Sequence, residues 1–519
     1  MKSILRVAAR KSDLARLQAY EVGRAIERVH ADVQVEYQFS TSLGDLNLHD
    51  PLWKMPEKGV FTADLTEKLI RGECDLVVHS WKDLPTEPNA KTEIATTLKR
   101  ADVRDVILVK RDFAENSGRD RQLKVFSSSP RREYNVYDFL RWSLPLDARP
   151  LAVDFLPVRG NIATRARKFL DDHKIGAWVV AKAALDRLLS STEEEFTSEN
   201  FKQSREILRD VLSNSRFQVM PISVAPSAPA QGALAIEIAR GRDDIRKCLR
   251  AIHDPGTWSD VMAERDVFRE FGGGCHQKIG ITYETRAFGR IDCGRGQTDD
   301  GKEFSFQRLI SSAGAERIPK TARERMFPLS RSGDQFFSAR RQISVKAEEL
   351  RGRDFFVARA DAWPEGKAKV SPETIVWVSG VQTWQKLAAN GVWVSGCQDG
   401  RGEDEPIQVD SILGRSPQFL KLTHTNGYDT GRWPVLATYE LIEKPESEWP
   451  DLTHKTHFYW GSFSQFACAR RRYGDVLARG YHACGPGNTF QLLKKVVPRV
   501  SVYLSHESWL EDVLEADAK

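Results

Sequence analysis

The chain has 519 residues, room for about three to five domains, and its composition, 41% hydrophobic and 29% charged, is ordinary for soluble globular protein. Its 77 Lys+Arg against 72 Asp+Glu leave a net charge of +5, too mild to argue for a nucleic-acid partner. No run of about 18 apolar residues exists, the first residues are charged throughout with no apolar signal core, and the seven cysteines are odd in number with no CxxC pair. A cytoplasmic protein with reduced thiols, no membrane partner and no metal site is therefore expected.

ILRVAA (4–9) reads as a strand, and Ser12 is placed to cap a helix whose stripe is Leu14, Leu17, Val22, Ala25, Ile26 and Val29. VQVEYQFS (33–40) is the next strand. FTADLTEKLIRG (61–72) is a helix stopped by Gly72, and CDLVVHS (74–80) is an apolar strand of the kind buried between helical layers. This alternation predicts α/β architecture with a mostly parallel sheet. Ligands of such sheets bind beyond the carboxyl ends of the strands, where His79, Ser80, Lys82 and Asp83 fall. A carboxylate there could hold a cationic intermediate, bond ring N–H groups or move protons; read alone, Lys82 and Asp83 fit a solvated turn before Pro85 equally well.

A second α/β unit spans about 105–220, with strands KVFSSS (124–129) and GAWVVAK (176–182). FSSSPRRE (126–133) and VRGNIATRARK (158–168) each set hydroxyls or Gly160 beside arginines just after a strand. Ser128, Ser129, Arg131, Arg132, Arg159 and Arg165, with Arg10 and Ser12, could converge on carboxylate or phosphate. Any one of these arginines alone reads as surface charge; several at strand ends of two consecutive units suggest a polyanion held between two lobes. The charged segment 191–210 reads as a surface excursion, and 225–240 as a return to the first unit.

A helix face at Trp258, Val261, Met262 and Phe268 ends in REFGGGCHQKIG (269–280), with strand-like runs at 279–290 and 304–311. GQTDDGKE (296–303) matches GxxxxGK, but Glu303 stands where Ser or Thr should be, and a hairpin turn is expected. Residues 312–350 are basic and weakly patterned. A further α/β region has strands near 374–379, 435–441 and 456–460.

The blocks RVAARKSDLARLQ, TSLGD, EKGVF, DLVVHSWKDLP, SSSPRRE, VRGNIATR, APAQGALAIE and AERDVFREFGGGCHQKIG, over roughly residues 4–310, resemble the hydroxymethylbilane synthase (porphobilinogen deaminase) family. The resemblance implies two periplasmic-binding-protein-like α/β lobes, 1–104 with 221–243 and 105–220, and a small α+β domain, 244–315. It implies a dipyrromethane cofactor thioether-linked to Cys275, whose glycines let the backbone bend, and a substrate, porphobilinogen, four units of which are joined with loss of ammonia. Asp83, with Lys82, is then the catalytic pair. Ser12, Ser80, Lys82, Asp83, Ser129, Arg131, Arg132, Gly160 and Gln231 would hold the cofactor, and Arg10, Phe61, Arg159, Arg165 and Arg187 the substrate. Departures from the family pattern are Trp81, expected to crowd the cleft, and Pro130, Ala183-Ala184 and Ala230.

After a linker or extension at 316–352, residues 353–519 resemble uroporphyrinogen-III synthase in WVSGVQTWQKLAANGVWVSG (377–396), LATYELIEKP (436–445), FYWGSFSQF (458–466) and HACGPGNTFQLLKK (482–495), with Tyr439, Ser462 and Thr489 as its candidate site. Ring closure to uroporphyrinogen III, an inactive packing domain, and, for the whole chain, a two-lobed anion-binding protein stay open as alternatives. The chain is read as a monomer.

Overall fold

The computed structural model describes residues 3–41, 63–115, 122–150, 152–190, 199–274, 277–311, 317–330, 335–364 and 371–515. The first sheet begins with β1 (Ser3–Arg10), β2 (Val33–Ser40), β3 (Leu76–Ser80) and β4 (Thr92–Thr96). The chain then crosses to a second sheet, β5 (Asp105–Lys110), β6 (Gln122–Phe126), β7 (Ala152–Leu156), β8 (Ala177–Ala181) and β9 (Ser215–Val219), and returns as β10 (Leu234–Ala239). The two sheets, ordered β2-β1-β3-β10-β4 and β7-β6-β8-β5-β9, repeat one topology. Three parallel strands are followed by an antiparallel strand donated across the lobes, β10 in one and β5 in the other. Two crossovers, 97–104 and 220–233, therefore join the lobes.

Apolar periodicity builds each lobe. Helix α1 (Asp13–Val29) lays Ala19, Val22 and Ile26 on Val7, Ala9 and Val78. The second lobe carries α2 (Pro130–Ser143), α3 (Ile162–Asp171), α4 (Lys182–Ser190) and α5 (Glu199–Ser213). The surface excursion expected at 191–210 is thus corrected: its described part is a helix burying Phe201, Leu208 and Val211, an i, i+7, i+10 stripe hidden among charges. Pro130 occupies the first turn of α2, where its missing N–H costs nothing.

Helix α6 (Pro255–Glu270) packs on an antiparallel meander, β11 (Gly280–Arg286), β12 (Gly289–Gln297) and β13 (Glu303–Ser311). The run at 279–290 resolves into β11 and the start of β12, and GQTDDGKE includes the β12–β13 turn. One buried carboxylate anchors this unit. Glu264 Oε1 accepts from Arg100 Nη1 (2.7 Å) and Tyr283 N (2.7 Å), and Oε2 from Arg100 Nη2 (2.9 Å) and Ala230 N (2.6 Å). Both oxygens face only donors, so an amide cannot replace it without setting NH₂ against two N–H groups. Glu264→Gln is expected to cost about 3–5 kcal/mol, as for a broken buried ion pair, seen as a lower urea midpoint.

The C-terminal region forms two more sheets. β14 (Met326–Phe327) opens one and β15 (Ser338–Gln342) the other. The chain continues through β16 (Asp354–Val357), β17 (Val376–Val378), β18 (Gly396–Cys397), β19 (Phe419–His424) and β20 (Val435–Glu443), then returns as β21 (His457–Trp460), β22 (Tyr481–Cys484) and β23 (Val500–Val502). The orders are β14-β21-β22-β23 and β15-β20-β19-β16-β17-β18, parallel except for β15 against β20. The segment expected to be linker, 316–352, thus supplies a strand to each sheet. A two-residue strand and the edge strand SARRQ carry too little apolar pattern to announce themselves.

This region is not a loose appendage. One apolar cluster runs from Val125 and Phe139 of the second lobe into Phe355, Trp384 and Trp393. Trp384 Nε1 donates to Ser143 O (3.0 Å) and Trp393 Nε1 to Phe217 O (3.1 Å). Among the described residues no helix is long and apolar enough to cross a membrane, and no cluster of three or more His, Cys, Asp or Glu could hold a metal.

Candidate functional site

The site grows from strand ends of both lobes. β3 runs into a single turn, Trp81–Asp83, leaving Asp83 exposed and Lys82 half-buried. A cleft here is lined by Arg10, Ser12, Gln18, His79, Ser80 and Asp83. Ser12 sits at the N-cap of α1 without a side-chain capping bond and lines this cleft. Ser80 Oγ is held by Gln18 at 2.8 Å. Beneath them, buried His79 Nε2 meets Glu237 Oε2 at 2.9 Å.

Across the lobes, a second buried acid organises the cations. Asp105, first residue of β5, accepts from Arg131 Nη2 (2.7 Å), Arg132 Nη2 (2.8 Å) and Gln231 Nε2 (2.9 Å). The guanidinium pair holds its carboxyl well below the usual range despite burial. Gln231, on the second crossover, turns its Oε1 to Lys82 Nζ at 3.3 Å, so one buried amide ties the second lobe's arginines to the first lobe's lysine. Burial pushes the Lys82 ammonium down to about 8, with Asp83 opposing and Arg132 assisting.

Arg165 shows how closely the remaining charges converge. Burial, then repulsion from Arg132 and Arg159, brings it down to about 10; Asp83 opposes and Arg10 adds to the fall. Gly160, at φ +110°, turns its carbonyl to Arg165 Nε at 2.7 Å; a Cβ there would lie 2.7 Å from Thr164 Cγ2. Ser129 caps α2 through Arg132 N, which fixes the helix start that presents both arginines. Arg187 is differently engaged: it donates to Glu21 Oε2 (2.9 Å) and Gly232 O (3.2 Å), where α4 meets α1.

The description "Porphobilinogen deaminase, dipyromethane cofactor binding domain" belongs to the family model that matches residues 5–247. Porphobilinogen deaminase of Clostridium novyi is 30% identical over 274 residues, 53% of this chain and 81% of that one. The enzyme of Bordetella parapertussis is 32% identical over 319 residues, 62% and 86%. The chain belongs to the porphobilinogen deaminase family. It carries that family's dipyrromethane cofactor binding domain. The family assignment covers about the first 300 residues and leaves the C-terminal region unidentified. Among solved structures, the reduced OxyR regulatory domain of Pseudomonas aeruginosa aligns at 13% identity over 48% of this chain and 97% of that one, TM-score 0.24, too low to carry any argument.

The residues present fit a carboxylate-bearing cofactor. Among the described residues the buried Nε atoms of Arg131 and Arg132 have no hydrogen-bond partner, and both arginines act on the half-buried Lys82. Cys275 and Phe61 lie outside the described residues, but the glycines before the cysteine do not. Gly272 (φ +92°) and Gly273 (φ +58°) end α6, and a Cβ on Gly273 would stand 2.6 Å from Thr86 Oγ1, three residues beyond Asp83. Arg265 of α6 donates to Trp81 O (3.5 Å), Leu84 O (3.3 Å) and Pro85 O, and Arg269 to Thr86 O (3.3 Å). The C-terminal end of α6 and the Asp83 turn are thus laced together.

Trp81 does not crowd the cleft, contrary to expectation. It is 2% exposed and packs on Ala230, Ala233, Val261 and Trp258. Ala230, where the family pattern has glycine, takes φ +63°, a left-handed conformation costing a non-glycine residue roughly 1–2 kcal/mol.

In the C-terminal region, Tyr439 and Ser462 line one cavity with Arg340, Arg359, His424 and Gln465. Arg359 Nη2 donates to Gly461 O (3.0 Å), tying the two C-terminal sheets beside it. Thr489 is not in that lining. It follows Asn488, whose Nδ2 donates to Glu403 Oε2 (3.0 Å), and Gly487 packs so closely on Gly402 that a Cβ would meet its Cα at 2.7 Å.

Proposed function

We propose that the first 311 residues condense four porphobilinogen units head to tail, releasing ammonia, on a dipyrromethane primer carried by Cys275. The observation that supports this most is the cleft where Arg10 and the exposed acid Asp83 face each other, with Arg132, Arg159 and Asp83 all acting on the neighbouring Arg165. A ligand with several carboxylates and one developing positive charge suits that pattern, and the acetate and propionate arms of each pyrrole supply the carboxylates.

The chemistry follows from those charges. Arg131, Arg132, Arg165 and Lys82 bind carboxylates, drawing substrate in and fixing its ring plane. As the substrate's C–N bond breaks, its electrons leave with ammonia and the pyrrole nitrogen lends its lone pair, giving an azafulvenium cation. Asp83 stabilises that cation and accepts the pyrrole N–H, lowering the barrier where charge develops. When bound, the dipyrromethane supplies the nucleophilic terminal pyrrole carbon. The Asp83 carboxylate would also be the base that takes up the proton released as each new bond forms.

For the C-terminal region we propose ring closure of the linear product to uroporphyrinogen III. What supports it is the pair of parallel α/β units joined through β15 and β20, with Tyr439, Ser462 and two arginines in a cavity beside their junction. Incubating the full chain with porphobilinogen, oxidising, and separating the uroporphyrins tests both steps. One ammonia per porphobilinogen and isomer III are expected. Isomer I alone means that the C-terminal region does not cyclise, and no porphyrin of either kind removes the deaminase reading.

A further inference from the structure

One segment of the C-terminal region, 398–411, touches both crossovers that join the lobes, the meander and α4. Asp399 accepts from the backbone N of Ser223 at 3.0 Å and from its hydroxyl, on the second crossover. Ile407 O accepts from Arg104 Nη2 at 3.1 Å, on the first crossover, next to the Asp105 that holds Arg131 and Arg132. Arg401, buried, donates to Glu284 Oε2 at 2.5 Å, and Glu405 accepts from Arg286 Nε at 3.0 Å, both on β11. Ser411 Oγ donates to Asp186 at 2.5 Å on α4, where Lys182, fully buried, also bonds Asp186.

The loop is stiff enough to impose geometry. On its far side Glu403 accepts from buried Lys421 (2.6 Å), Thr430 (2.5 Å) and Asn488 (3.0 Å), and Gln398 spans Trp377 Nε1 and Glu405 O. Asp399 and Gln408 both take φ +54°, conformations that persist only where surroundings over-determine them. A loop serving only to cap its own domain has no need of charged or polar contacts at four separate places: both crossovers, the meander and α4.

We propose that residues 398–411 brace both interlobe crossovers and the meander, so that Asp399 and Arg401 act as positioning residues for bilane formation. They set the distance between Arg10 and Asp83 in one lobe and Arg132, Arg159 and Arg165 in the other. The inference rests on the deaminase reading given above. It differs from a stability role in what it predicts: loosening the brace weakens capture of a ligand that needs both lobes, even where the fold is intact.

The test uses the full-length primed chain. Asp399→Asn keeps the side-chain shape and tolerates the left-handed backbone but drops the charge that holds Ser223. At a temperature well below unfolding, it is expected to raise KM for porphobilinogen about fivefold with kcat within about twofold, the size usual for mutations along a coupling contact. Amide exchange at 97–104 and 220–233 should quicken. Arg401→Lys, keeping the charge, should fall between wild type and Arg401→Met. Unchanged KM and unchanged crossover exchange, with or without a lower Tm, overturn the brace. If wild type makes no bilane, the deaminase reading falls instead, and the exchange measurement alone decides whether the loop holds the crossovers.

Discussion

Asp83→Asn is expected to cut bilane formation on the order of 10²–10³-fold, the range seen when one preorganised group facing a developing charge is removed. Structure should survive the change. Asp83 is exposed and makes no hydrogen bond among the described residues, and exposed substitutions of that kind stay within about 0.5 kcal/mol. The loss is electrostatic. Asp83 is the acid that opposes Arg132, Arg159 and Arg10 around Arg165; without it the cleft lining keeps no acid where a cation must form. Asparagine keeps a carbonyl able to accept a pyrrole N–H, so substrate should still bind, and kcat should carry most of the effect. Single-turnover ammonia release with parallel thermal melts separates these terms. Near-normal turnover in a variant with wild-type Tm would mean that the charge on Asp83 is not what the reaction uses.

The lobes were legible in the sequence because their strands are short apolar runs closed by turns, and the cations because arginines cluster visibly at strand ends. What could not be read there was the set of buried acids that aim those cations. Asp105, Glu237 and Glu264 each lie far along the chain from their partners: Arg131 and Arg132, His79, and Arg100. A faint signal existed, since DVILVK and LAIEIA each hold one acid beside a run of apolar residues, a setting that buried carboxylates occupy only with a partner. Gln231 was singled out by motif, yet its bridge from Asp105 to Lys82 depends on two lobes meeting. Arg187 reads like the other arginines in sequence and differs only because Glu21 of α1 faces it.

Cys275→Ser is expected to remove the primer and abolish turnover. Intact mass should show wild type heavier than its polypeptide by two condensed pyrrole units and the variant at polypeptide mass. The glycines ahead of that cysteine are tightly constrained. Gly272 and Gly273 both take left-handed angles, and Gly273 lies so close to Thr86 that no side chain fits between them. Thr86 lies three residues beyond Asp83, so the glycine run meets the turn bearing Lys82 and Asp83. Arg265 and Arg269 hold that turn by its carbonyls, which fixes the distance from the other side. Cys248→Ser, at a half-buried thiol outside this segment, should leave mass excess and activity alone. Wild type that stays at bare polypeptide mass after incubation with porphobilinogen would remove the tether, and with it the reason for three glycines before one thiol.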